Sequence, residues 1–263
     1  MSEDSVLMRA SPEGVATITL NRPEVHNAFN AEVIERLSDV LEDLAGADGV
    51  RAVLLEAVGK SFSAGADLHW MKLAASFTEA ENLEDARALS QMLHRLNTLP
   101  KPTVALVQGA AFGGGVGLMA ACDMVIAVKD AAFSLSEIKL GLIPATISPY
   151  VIAAIGERQA GRYFLTGERF DADEARRIGL VHEVVDDLDA LKMAGERMVE
   201  RLFAAPPGAL ADAKDLIAAV AGRPIDAVLI EDTARRIAAR RSHAEAGEGI
   251  AAFLEKRKPG WHG

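Results

Sequence analysis

The sequence predicts an α/β layered protein that ends in a helical section, and two observations carry that expectation. Short β-branched runs alternate with amphipathic stretches as far as about residue 146, and beyond it the apolar periodicity is almost wholly helical. "GVATITLNRP" (Gly14 to Pro23) reads as a strand and then a turn, because Pro23 lacks the amide that a continuing central strand would need. Asn30 is a candidate N-cap for a helix that places Val33, Leu37, Val40, Leu41 and Leu44 on one face. "RAVLLEAV" follows as a buried strand, and Gly59 to Asp67 as a polar loop. A helix near Ala80 to Leu96 sets Leu83, Ala86, Leu89, Leu93 and Leu96 on one side. "KPTVALV" is the next strand, "AAFGGGVGL" opens an apolar helix, and "DMVIAV" and "AAFSL" are short strands. "APPG" and "GRP" then divide the last part into helices near Ala209 to Ala221, Ile225 to Ala239 and Ala244 to Lys256, able to pack on the core or on another subunit. No internal repeat is legible.

Composition excludes several functions. With 38 acidic against 28 basic side chains in 263 residues, the overall field repels nucleic acid and anionic membrane. No apolar run approaches the roughly twenty residues needed to span a bilayer, and the acidic "MSEDSVLMRA" does not read as a secretory signal. Cys122 is the only cysteine and lies in an apolar segment, so no intramolecular disulfide forms and a reducing cytoplasm is expected. There is no His-Glu-x-x-His or paired-cysteine pattern, so no metal is expected.

Gly113, Gly114 and Gly115 stand at the start of a helix, where each glycine costs about 1 kcal/mol relative to alanine. Close packing of helix on strand would explain them; so would a ligand taking hydrogen bonds from free amides at the helix start. The phosphate fingerprints fail: G-x-G-x-x-G from Gly113 meets Leu118, and a P-loop ending at "GKS" meets Leu54. A serine-hydrolase elbow fails at Ser63. A second small-residue loop, "SFSAGADL" (Ser61 to Leu68), also follows a strand. If the two strands are neighbours, each loop can offer one amide to a single oxygen, which makes an oxyanion hole.

"NRPEVHNAFN", "SFSAGADL", "PKPTVALVQGAAFGGGVGL", "LSEIKLGLIP", "TGERFDADEARRIGLV" and "FLEKRKPGW" together resemble, in order and over nearly the whole chain, the crotonase superfamily of enoyl-CoA hydratases and isomerases. The resemblance implies a crotonase-type spiral of ββα units over residues 1–204. It also implies a helical C-terminal region, 205–263, that trimerises, commonly into a hexamer of two trimers. It implies acyl-CoA substrates, with coenzyme A entering as part of the substrate and no separate cofactor. Matched residue by residue, the oxyanion amides fall on Ala66 and Gly114. The segment Ala64, Ala66, Asp67, Leu68, His69 corresponds to the one that curls around coenzyme A, and Lys256 to a partner of its phosphates from a neighbouring subunit; a solvated helix charge is the competing reading of Lys256.

Hydratases of this superfamily use two glutamates. The second is present as Glu137, between "AAFSL" and "IKLGLIP", where flanking apolar runs favour burial and a raised pKa. The position of the first falls on Gly117. That departure bears on mechanism, since one group must then both orient water and move the proton at Cα. "SAGADLHWM", "FGGGVGL" and "KLGLIPATISPYVIAAIG" are most similar to bacterial methylglutaconyl-CoA hydratases of leucine or isoprenoid catabolism, a subgroup with glycine there, which implies a hydratase. A single-glutamate isomerase and a catalytically silent coenzyme A binder are the alternatives. His69 and Trp70 either line the acyl pocket or pack in the core; Ser148 and Tyr150 either shape the pocket or serve the next helix; His26 and Asn27 read as structural turn residues.

Overall fold

The computed structural model describes residues 4–261. The chain opens with β1 (Val6–Ala10) and β2 (Val15–Leu20), then α1 (Ala31–Gly46). Asn30 caps α1 by accepting from the Val33 amide at 3.0 Å, and Val33, Ile34, Leu37, Val40, Leu41 and Leu44 are buried along its inner face. Each such side chain contributes about 1.5–3 kcal/mol on leaving water, which is what holds a helix of this length in place.

Three structural turns follow, each made of a longer strand, a three-residue strand and a helix. The first is β3 (Ala52–Ala57), β4 (Ser61–Ser63) and α3 (Glu79–Asn97), with the short α2 (Leu68–Ala74) inserted before α3. The second is β5 (Thr103–Val107), β6 (Ala110–Phe112) and α4 (Gly114–Ala120). The third is β7 (Met124–Val128), β8 (Ala132–Ser134) and α5 (Ser148–Thr166). β3, β5 and β7 pair in parallel in one sheet, while β4, β6 and β8 pair in parallel in another. This is the expected spiral of ββα units, a repeat of geometry that the sequence does not show. β9 (Arg169–Asp171), α6 (Ala172–Arg177), β10 (Glu183–Val185) and α7 (Leu188–Phe203) complete the two sheets, whose orders are β1-β2-β3-β5-β7-β10 and β4-β6-β8-β9. α8 (Pro207–Val220), α9 (Ala227–Arg241) and α10 (Ala244–Leu254) follow. No helix among the described residues is long and apolar enough to cross a membrane.

Three local expectations are corrected. Ser61 to Ser63 form a buried strand rather than polar loop, since Phe62 sits at 0% exposure with its amide on the Gln108 carbonyl. Ala110–Phe112, expected to open a helix, is the strand β6, and the helix begins after it. On α3 only Met92, Leu93 and Leu96 are buried; Leu83 is 48% exposed, because the first half of the helix stands away from the core beside the cavity described below.

The joint between the second sheet and α4 leaves no room for a side chain: a β-carbon on Gly115 would lie 2.5 Å from the Ser63 carbonyl oxygen. Gly115→Ala is therefore expected to lower the unfolding free energy by about 1–3 kcal/mol. Gly161→Ala, inside α5 where nothing lies within 4 Å of the new carbon, should raise it by roughly 0.5–1 kcal/mol. Urea unfolding of both variants checks the pair, and equal midpoint shifts would contradict the packing argument.

Candidate active site

The turn after β2 builds the first wall. His26 and Asn27 adopt left-handed φ values of 55° and 54°, and Asn27 is buried. Its Oδ1 accepts from the Arg22 amide at 2.8 Å, while its Nδ2 donates to the carbonyls of Val58 and Ser61 at 2.9 and 2.8 Å. This fixes the turn against the β3–β4 connection, a structural role for Asn27 as the sequence suggested, whereas His26 also lines the cavity described below.

The turn in turn holds the loop after β4. Ala64 N–H donates to the His26 carbonyl at 2.9 Å, Gly65 N–H to Ser63 Oγ at 3.2 Å, and Asp67 N–H to the Phe29 carbonyl at 2.8 Å. Ala66 is the exception: its amide has no partner among the described residues. Asp67 is committed elsewhere, accepting from the His69 and Trp70 amides at the head of α2 and pairing with Arg22 at 3.1 Å. Burial pushes its carboxyl up, but those amides and the guanidinium outweigh it and hold it below the ordinary value. Its side chain thus organises the loop.

The second amide comes from the parallel neighbour of β4. β6 ends at Phe112, Gly113 turns the chain at φ 48° with its own N–H on the Ser134 carbonyl at 2.9 Å, and Gly114 begins α4. A first helical residue has no intrahelical acceptor, and among the described residues Gly114 N–H has no other partner. The two loops abut: a β-carbon on Gly65 would lie 2.7 Å from the Phe112 carbonyl oxygen and 3.4 Å from Gly114 N.

Glu137 faces this pair from the 3-10 turn Ser136–Leu140 that follows β8. A β-carbon on Gly113 would stand 2.9 Å from Glu137 Oε1, so glycine there makes room for the carboxyl as well as for the turn. Glu137 Oε2 is buried without a hydrogen-bond partner. Burial pushes the carboxyl above its ordinary value, against a smaller lowering by its own backbone amide.

A cavity of about 750 Å³ joins these groups. Ala64, Ala66, Asp67, Leu68, His69, Gly114 and Glu137, all expected at the site, line it together. Trp70 lines it as well, held edge-to-face on Phe77 at 5.7 Å. Lys256 does not line this chain's cavity; it lies exposed just past α10. Ser148 and Tyr150 are absent from the lining, Ser148 Oγ donating instead to the Ala145 carbonyl at 2.8 Å. Their neighbours Thr146 and Ile147 line the cavity, as do Phe29, Asp85, Leu142 and Ile143, none of which the sequence singled out, and Leu89, which it placed on the core face of α3. Gly117 is sealed: a β-carbon there would lie 2.0 Å from Ile147 Cγ2.

Two free amides and a half-buried carboxyl that line one largely apolar cavity can stabilise an oxyanion while one group moves protons next to it. Comparison with known proteins agrees. The family model described as enoyl-CoA hydratase/isomerase matches residues 10–263. The structure of an enoyl-CoA hydratase from Shewanella pealeana superposes with a TM-score of 0.94 at 44% identity, covering 98% of this chain and 96% of that one. That of an enoyl-CoA hydratase from Mycobacterium smegmatis gives 0.93 at 34% identity, covering 99% and 100%. The 1,2-epoxyphenylacetyl-CoA isomerase of Escherichia coli is 33% identical over 95% of this chain and 96% of its own length. The chain therefore belongs to the enoyl-CoA hydratase/isomerase family, within the crotonase superfamily, and is an enzyme of that family.

Proposed function

We propose that the enzyme adds water to, or removes it from, an α,β-unsaturated acyl-CoA with a branched acyl group, of which 3-methylglutaconyl-CoA is the member that the sequence resemblance favours. The observation that carries the reading is the half-buried Glu137 carboxyl, its Oε2 buried and unpartnered, in one cavity with the unpartnered amides of Ala66 and Gly114. The thioester oxygen takes both amides, and the start of α4 favours the negative charge that develops there. A donor of this kind is worth about 3–4 kcal/mol of barrier. Glu137 exchanges the proton with Cα or with the attacking water. Coenzyme A is part of the substrate and no further cofactor enters. The segment Ala64 to His69 embraces it, with Lys256 of a neighbouring chain on its phosphates.

The same reading makes the enzyme a trimer or a hexamer. Val228, Ile230, Ile237, Ile250 and Phe253 on α9 and α10 are each at least half exposed, apolar side chains that association with another chain would cover. A double-bond isomerase is the second reading, favoured by the single carboxylate and by a relative that bears an isomerase name.

Incubation with a panel of enoyl-CoA esters, including 3-methylglutaconyl-CoA, is expected to bleach the conjugated thioester absorbance with water uptake; double-bond migration without water uptake would select the isomerase. Glu137→Gln should lower kcat by about 10²–10⁴-fold, and full turnover in that variant would remove Glu137 from the chemistry.

The raised pKa also has a stability consequence. A carboxyl whose folded pKa lies above its unfolded value contributes stability below the unfolded pKa and loses it as pH rises through the folded one. Above its folded pKa the wild type buries a charge that Glu137→Gln does not, so there the variant should melt higher, with the gap closing as pH falls through the folded pKa towards 4.5, the ordinary value. Parallel melting curves across that range would contradict the assignment.

A further inference from the structure

We infer that Thr146 positions the attacking water, taking the place that a second carboxylate would hold. The inference rests on the hydratase reading above and on three observations. Ile147 fills the space over Gly117, 2.0 Å from where a β-carbon would stand, so no side chain from α4 reaches the cavity at that point. The wall there is supplied by the strand-to-helix connection that carries Thr146 and Ile147, and both line the same cavity as Glu137. Thr146 is half-buried, and its hydroxyl has no hydrogen-bond partner among the described residues, in contrast to Ser148 two residues on.

A hydroxyl both donates and accepts, so it can orient a water molecule, but it cannot take a proton at neutral pH. The proton traffic then belongs to Glu137 alone. The water oxygen forms a bond to Cβ, and the Cα–Cβ π electrons move towards the thioester oxygen held by the Ala66 and Gly114 amides. The proton lost by the water passes to the Glu137 carboxylate. The enolate collapses, and Glu137 returns that proton to Cα. One water is consumed, nothing is oxidised or reduced, and the carboxylate is regenerated. Thr146 touches only the water, which makes it a positioning residue. Ser136 also lines the cavity with an unpartnered hydroxyl, but it precedes Glu137 on the same tight turn and shares no wall with Gly117.

The test uses the full-length enzyme and the enoyl-CoA ester it turns over fastest. Thr146→Val, which keeps the shape and loses the hydroxyl, should lower kcat for hydration by about 10- to 100-fold with KM within a few-fold of wild type. Thr146→Ser should recover most of the loss. A second readout is exchange of the α-proton of the saturated ester with D₂O, which needs Glu137 and the two amides but no water at Cβ. Exchange should persist in Thr146→Val and vanish in Glu137→Gln. Hydration at the wild-type rate in Thr146→Val, or its loss in Ser136→Ala with Thr146→Val unaffected, would overturn the inference. A wild-type enzyme that neither hydrates nor exchanges would instead defeat the hydratase reading on which it stands.

Discussion

Two backbone segments approach each other here more closely than any side chain allows, and the rest of the site depends on that contact. Gly115 lies on the Ser63 carbonyl and Gly65 on the Phe112 carbonyl, at distances where a β-carbon would stand 2.5 and 2.7 Å from oxygen. In the segment Ala64 to Asp67 three amides are engaged and that of Ala66 is left; at the next loop Gly113 is engaged and Gly114 is left. Main-chain donors held in this way have no rotamers to freeze when charge develops. Their alignment is set during folding rather than during the reaction.

The carboxyl opposite them is held against its own interest. An unsatisfied buried polar atom costs about 1–3 kcal/mol, and Glu137 Oε2 is one. The fold does not relieve it, although Ser136 is adjacent and hydroxyls line the cavity. Relief would lower the carboxyl's pKa and blunt it for the proposed proton transfer, whereas desolvation keeps the protonated form accessible at higher pH. Asp67 in the same cavity shows the opposite treatment. Amides and Arg22 stabilise its charge, and it serves as scaffold.

How much of this the sequence discloses depends on element length. α1 was legible to the residue at its cap, because Asn30 and a three-and-four spacing of apolar residues leave one amphipathic solution. β3, β5 and β7 were legible as apolar runs. Of the second sheet only β8 was legible, inside the longer apolar run "AAFSL"; β4, β6 and β9 have three residues each, and no periodicity can be read from three positions. β1 escaped for another reason: only Val6 of its five residues is buried, so it carries no alternation. The loops bearing Ala66, Gly114 and Glu137 stood out through small residues and an acid between apolar runs. Thr146 and Ile147 did not, because their significance lies in what covers Gly117, a relation between positions thirty residues apart in sequence.

Polar clasps help attach the C-terminal region to the spiral. The Arg51 guanidinium, at the head of β3, lies 4.1 Å from the Phe203 ring centroid and donates to the carbonyls of Phe203, Ala205 and Trp261. Lys214 on α8 pairs at 2.8 Å with Asp123, which itself accepts from the amide and hydroxyl of Thr103. Directional bonds of this kind contribute little net stability, but they fix orientation. That division of labour matters, because α9 and α10 keep their large apolar side chains outward, Phe253 at 82% exposure. A helix pair tethered by apolar contact alone would gain by rolling those faces onto its own core. Polar clasps at the root of the region oppose that collapse, so the proposed association of chains meets a surface already held open for it.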